Sequence, residues 1–215
     1  MVASRLAVPA PAPTAVQGAP HRARSPVYRG QAQGAFALSS GRVPVLIDGN
    51  LRVWDSLAIC EYVSERYLGG RGWPSDPQAR AVARAVCAQM HADFTCLRRH
   101  LPMNLRGEFS WRHVSHAAEA DIAQIIALWH ACHTAYGQGK PWLFGHFTIA
   151  DAFFAPVAAR FLTYSVPLPP EAARYVDALR SLPAMDAWYA AARNERWRLP
   201  QYEALETWLA ACPAK

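Results

Sequence analysis

Two short runs near residue 50 carry the residue types that could hold a ligand. In Val43-Pro44, a proline opens the apolar run Val45-Leu46-Ile47. Such a proline is either a trans residue on a strand edge or a cis residue that turns the valine's backbone N–H and C=O outward. Turned outward, those groups can pair with an extended peptide as an added strand would. A few residues on, Asp55-Ser56 precede Leu57, Ile59, Cys60, Val63 and Tyr67, so a polar cap opens an amphipathic helix. Unpaired N–H groups and the positive dipole end favour a carboxylate there, while an Asp side chain can meet an ammonium. The same two residues can also serve as nothing more than a cap.

Other chemistry-bearing pairs promise less. His113 with His116 and His130 with His133 stand at i, i+3 spacing, which can place two imidazoles on one helix face as metal ligands. No third ligand stands at suggestive spacing, so no metal is expected. Cys87 with His91 could be imagined as nucleophile and base, but a cysteine on the apolar face of a helix is usually an inert packed thiol.

The elements that would position these residues must come from a chain of 215 residues, enough for one large or two small domains. It is 52% hydrophobic and 18% charged, with eight each of Trp, Tyr and Phe, which excludes a wholly disordered, collagen-like or coiled-coil chain. No apolar stretch reaches the ~20 residues of a membrane span. Five cysteines without C-x-x-C spacing, and an N-terminus broken by Pro9, Pro11 and Pro13, lead us to expect reduced thiols and a cytoplasmic protein. The net charge is +6, but residues 1–47 hold five Arg and no acidic residue, leaving 17 cationic against 16 acidic side chains beyond them. A nearly neutral folded part without interleaved aromatics argues against nucleic acid.

Residues 1–34 contain eight Ala, five Pro and three Gly and resist both helix and strand. We expect an irregular tail over 1–36. Order begins at Gly41: Val43 to Ile47, then Asp48-Gly49-Asn50, then Leu51 to Trp54 reads as a β-hairpin. The helix after Asp55-Ser56 closes at Gly69-Gly70, and the stretch to Pro74 reads as a linker. Beyond it, Ser75-x-x-Gln78 has the form of a capping box ahead of one long helix, with Val82, Val86, Met90, Phe94, Leu97 and Leu101 on one face until Pro102. A second helix is expected over 115–136, a third from the box Thr148-x-x-Asp151, and two shorter ones over 170–182 and 183–194, each opened by Pro. The last 20 residues should wrap the surface.

Three landmarks in this order carry a family resemblance: Gly41-Arg42-Val43-Pro44-Val45-Leu46-Ile47-Asp48, then Val53-Trp54-Asp55-Ser56-Leu57-Ala58-Ile59, then Phe147-Thr148-Ile149-Ala150-Asp151. Together they resemble the cytosolic glutathione transferases over about residues 37–205, and Leu101-Pro102-Met103-Asn104 looks like a bacterial subgroup of them. The resemblance implies an α+β thioredoxin-like N-terminal remnant, a β-hairpin plus helix over 37–70, followed by an all-α domain over 75–205. It implies a homodimer with glutathione as co-substrate and a small apolar electrophile as its partner. It also implies that the Val43–Pro44 bond is cis, that Val43 and Pro44 dock the cysteinyl part, and that Asp55 and Ser56 hold the γ-glutamyl end. Phe94, Met103, Phe109 and Trp111 could hold the electrophile, and Arg98, Arg99 or Asn104 could face it.

Members of this family ionise the thiol with a Ser, Tyr or Cys after the first strand. The first βαβ unit takes at least ~30 residues, which places the turn after that strand near residue 14 or earlier. Ser4 is a weak candidate and Thr14 lies among prolines, so the catalytic residue is unassigned. Zero acidic residues and Arg-Ala-Pro richness are what off-frame translation of GC-rich DNA yields. We therefore read this start as a shifted frame or misplaced initiation site, with a genuine disordered tail as the alternative, testable by reading the other two frames upstream of codon 35. Two readings of function follow: a transferase that uses the glutathione thiolate, or a catalytically silent interaction module of the same fold.

Overall fold

The computed structural model describes residues 43–198 and the backbone of a two-residue strand at 16–17. The chain divides into two compact units, residues 1–72 and 73–215.

In the first unit, β2 (Val45–Asp48) and β3 (Leu51–Trp54) form the antiparallel hairpin, with Val45 opposite Trp54 and Asp48 opposite Leu51. The turn is two residues long, and of these Gly49 takes the left-handed φ of 57° that glycine supplies without steric cost. Val45 and Leu46 are both buried, so this short strand is covered on both faces. A third strand, β1 (Val16–Gln17), pairs antiparallel with the other edge of β2, giving the order β1-β2-β3. That corrects the expectation of a tail without strand: ladder hydrogen bonds need only main chain, so a segment without alternating side chains can still cover an open edge. The remainder of the expected 1–36 tail lies outside the described residues.

The sheet leads into α1 (Ser56–Leu68), which ends at Gly69 in the left-handed conformation. Asp48, expected in the turn, closes β2 and accepts hydrogen bonds from the hydroxyls of Tyr62, at 2.6 Å, and Tyr67. Two turns of α1 are thus tied to the end of β2. The hydroxyl of Tyr62, then that of Tyr67, hold the Asp48 carboxyl below its ordinary range, while the Tyr67 phenol is pushed up to about 12, chiefly by the same bond. The lowered carboxyl stabilises this unit above the unfolded aspartate value and loses that contribution as pH falls through the folded one. Tyr62→Phe and Tyr67→Phe should each move the Asp48 titration upward, as read by carboxyl carbon NMR; an unmoved titration would show the bonds to be absent in solution.

The second unit opens with α2 (Pro77–Ala92). Its cap is Asp76, which accepts from the Ala79 N–H at 2.7 Å with Pro77 at the first helical position, rather than the expected Ser75 box. The expected long helix is broken. Asp93 is extended, Phe94 takes φ 57°, and α3 (Thr95–His100) starts anew. Two contacts account for the break: the Arg98 guanidinium donates to the carbonyls of Met90 and His91, and Asp121 accepts from the Leu97 N–H at 2.8 Å. Both satisfy helix-end groups that an unbroken helix would have paired internally.

The core of this unit forms where α4 (His116–Tyr136), α5 (Ile149–Thr163) and α6 (Pro170–Arg180) meet, with α7 (Pro183–Asn194) alongside. Trp129 of α4 packs edge-on against Phe154 and Tyr175 and is tilted against Phe161. The segment between α3 and α4 is stitched to α5: Arg160 Nε donates to the Leu101 carbonyl, Thr163 Oγ1 to Asn104 O and Tyr164 OH to Pro102 O. The segment expected to wrap the surface lies almost wholly outside the described residues.

Candidate functional site

The Val43–Pro44 peptide bond is cis. Val43 is 50% exposed, Pro44 is half-buried, and Val45 immediately enters the hairpin. The backbone just before the strand is therefore held by the sheet and open to solvent at the valine. This is the disposition that β-addition of an extended peptide requires.

The second element of the site is the mouth of α1. Asp55 caps the helix, and its Oδ1 accepts from the N–H groups of Leu57 at 2.9 Å and Ala58 at 3.3 Å. Asp55 also takes φ 72°, ψ 130°, a backbone region that non-glycine residues rarely occupy. Strain of this kind costs ~1–3 kcal/mol and persists where the surroundings demand it, most often at ligand sites. Asp55 is exposed and Ser56 half-buried. Both are carried by the chain that leaves β3 at Trp54, so a single hairpin and helix position all four expected residues, Val43, Pro44, Asp55 and Ser56. The arrangement offers exposed main chain at one end and a carboxylate beside helix N–H groups at the other. A ligand with a peptide-like middle and an end carrying both ammonium and carboxylate matches it.

The other sequence candidates separate on inspection. Ser4 lies outside the described residues. Asn104 Oδ1 accepts from the N–H groups of Arg106 and Gly107, so this side chain shapes a turn. Arg98 is spent on the end of α2. Phe94 is buried, Met103 packs against the cluster of Ala159, Met185 and Tyr189, and Phe109 stacks on Tyr164 at 5.4 Å. Trp111 is half-buried beside His113, and Arg99 is exposed. Cys87 is fully buried within α2, and Cys60, Cys87, Cys96 and Cys132 are all free thiols. Burial pushes the Cys60 thiol up and the Cys132 thiol to about 11; neither is poised as a thiolate nucleophile.

The histidine pairs have carboxylate partners. His113 Nδ1 lies 3.0 Å from Glu119. His130 and His133 both face Glu171, at 2.7 and 3.5 Å. Sequence spacing placed the two imidazoles on one face but gave no sign of Glu171, 41 residues away from His130. Among the described residues no group of three or more His, Cys, Asp or Glu could hold a metal ion. None of the described helices is long and apolar enough to cross a membrane.

With this geometry in hand, the comparisons with known proteins are consistent among themselves. The pattern described as "Glutathione S-transferase, N-terminal domain" matches residues 33–65, the stretch that contains the cis step and the mouth of α1. Glutathione S-transferase Z2 of Arabidopsis thaliana is 28% identical over 153 residues, 67% of this chain and 66% of that protein, so the match spans just under two thirds of the relative's length. A theta class glutathione S-transferase from Xanthomonas axonopodis pv. citri, solved with glutathione bound, matches with TM-score 0.51 and 26% identity over 76% of this chain and 77% of that one. A glutathione transferase homolog from Burkholderia, also with bound glutathione, matches with TM-score 0.55 and 24% identity over 78% and 80% of the two chains. The fold is thus of the class in which a thioredoxin-like domain precedes an all-α domain. Within that class, the matched segment and these relatives are glutathione S-transferases, and the chain is similar to them.

Proposed function

We propose that the protein is a glutathione transferase that holds glutathione across Val43–Pro44 and the mouth of α1 and directs its thiolate at a small apolar electrophile. One observation carries the reading: the main chain at half-exposed Val43 and the strained, exposed Asp55 at the N-terminus of α1 are built from one hairpin and helix. The cysteinyl part would pair with the Val43 backbone. The γ-glutamyl carboxylate would sit at the helix N-terminus beside Ser56, and its ammonium at Asp55. In conjugation, the thiol loses its proton, the sulfur lone pair forms a C–S bond to the electrophilic carbon, and the leaving group departs with the electrons of the broken bond. The residue that lowers the thiol pKa is sought in the N-terminal segment, with Ser4 as the weak candidate of the sequence. The glutathione found in the Burkholderia and Xanthomonas structures supports this ligand. A homodimer in the cytoplasm, its thiols reduced, completes the proposal.

The test is retention on glutathione-agarose followed by a conjugation assay with a generic electrophile. Retention with turnover is the expected result. Absence of retention by folded protein overturns the reading, and retention without turnover selects the silent interaction module instead. Ser56→Ala should weaken retention without altering thermal unfolding by more than about 0.5 kcal/mol, the usual range for a substitution away from a core or a cap.

A further inference from the structure

Within the second unit, the C-terminal half of α4 and the start of α6 border a candidate site whose residues the proposed function does not use. A cavity of about 120 Å³ lies there, lined by Ile126, Trp129, Ala172 and Tyr175, with His130, His133 and Glu171 around it. Its volume is close to that of an apolar cavity that takes up one benzene ring. Trp129 is 2% exposed, and its indole Nε1 is buried without a hydrogen-bond partner. The Trp129 ring thus forms part of the cavity wall, and its indole N–H, shielded from solvent, is a reporter of what packs against that ring.

The cavity adjoins a groove of about 420 Å³ that shares His133, Glu171 and Tyr175 with it and adds the exposed Lys140 and Arg174. The negative charge of Glu171 is already engaged. His130 Nδ1 lies 2.7 Å from one of its oxygens and His133 Nδ1 3.5 Å from the other, and the bond to His130 is the main cause that holds its carboxyl below the ordinary range. The His133 Nε2 donates to the Lys140 carbonyl at 2.8 Å, since a carbonyl can only accept. What the groove presents beyond this clasp is cationic: Lys140 and Arg174.

We propose that this is a binding site for a small aromatic carboxylate. The ring enters the slot against Trp129 and Tyr175, and the carboxylate lies in the groove toward Lys140 and Arg174. An apolar slot alone would suit any small hydrophobe; the two cations at its open end select the acid.

The experiment is a titration of the full chain, labelled with nitrogen-15 at its indoles, with benzoate as the probe. The Trp129 N–H cross-peak is assigned through Trp129→Phe. Benzoate should move that peak saturably while those of the other tryptophans stay in place. Joint replacement Lys140→Glu and Arg174→Glu, both at exposed positions, should leave the spectrum of the free protein intact and weaken benzoate about tenfold, with benzyl alcohol weakened to a similar degree relative to benzoate on the native chain. A peak that does not move at millimolar benzoate overturns the proposal. So does equal affinity for the charge-reversed variant, or for benzyl alcohol, because the cations would then recognise nothing.

Discussion

Replacing Asp151 by Ala is expected to lower the stability of the helical unit by about 3–5 kcal/mol, because it strands several buried donors at once. The carboxylate is fully buried and gathers four donors: the N–H of Leu143 at 3.2 Å, the N–H and hydroxyl of Thr148 at 2.8 and 3.0 Å, and the hydroxyl of Tyr175 at 3.0 Å. It therefore caps α5, fixes the loop that precedes it, and ties both to α6. Alanine leaves those donors in the interior with nothing to accept them, at ~1–3 kcal/mol for each that cannot turn elsewhere. With a urea m-value of ~2 kcal/mol/M, the unfolding midpoint should fall by about 2 M. Tyr175→Phe removes a single donor and should cost only about 1 kcal/mol; the two variants falling by equal amounts would show that the cluster is not organised by the carboxylate.

The same residue has a signed pH dependence. Burial, working against its four hydrogen bonds, pushes the Asp151 carboxyl above its ordinary range. The folded state therefore holds this proton more tightly than the unfolded chain does, and the contribution is complete below the unfolded value of ~3.9 and lost as pH rises through the folded one. Asp151→Asn cannot titrate. Its deficit relative to the native chain should be widest in acid and narrow as pH rises from about 4, which urea midpoints across a pH series would read directly.

Asp151 also shows which parts of such a fold are written locally. Thr148-x-x-Asp151 is legible as a capping box because both partners lie within one helical turn, and likewise Asp55, Gly69 and the prolines that open α6 and α7 announce their ends. The convergence of Leu143 and Tyr175 on the same carboxylate is not legible, since nothing in either residue's neighbourhood refers to the other. Phe94 is a harder case. Val86, Met90, Phe94 and Leu97 keep helical spacing across the break, so the apolar period runs on where the backbone does not; the break rests on Arg98 reaching back and on Asp121 of α4. The site divides in the same way. The pairs Val43-Pro44 and Asp55-Ser56 are visible as types with several uses, and the order of three landmarks singles out one use. The tyrosine pair on Asp48, which braces α1 against the hairpin, leaves no such trace.

Whether Asp55 is a cap or a ligand residue is decided by two substitutions that separate its roles. Asn caps helices about as well as Asp, whereas Ala forfeits the cap at a cost of about 1 kcal/mol. Asp55→Asn should therefore preserve the thermal stability of the hairpin and helix, and Asp55→Ala should lower it. Binding should divide differently. If the Asp55 carboxylate meets the γ-glutamyl ammonium, either change removes a charge-assisted hydrogen bond of about 1.5–3 kcal/mol, so both should weaken glutathione by about 10- to 150-fold in calorimetry. A glutathione analogue lacking that amino group closes the cycle: it should bind weakly to the native chain and lose little further with Asp55→Asn. Full affinity for glutathione in Asp55→Asn would reduce Asp55 to a helix cap, and its left-handed backbone would then be a cost of turning from β3 into α1 rather than of holding a ligand.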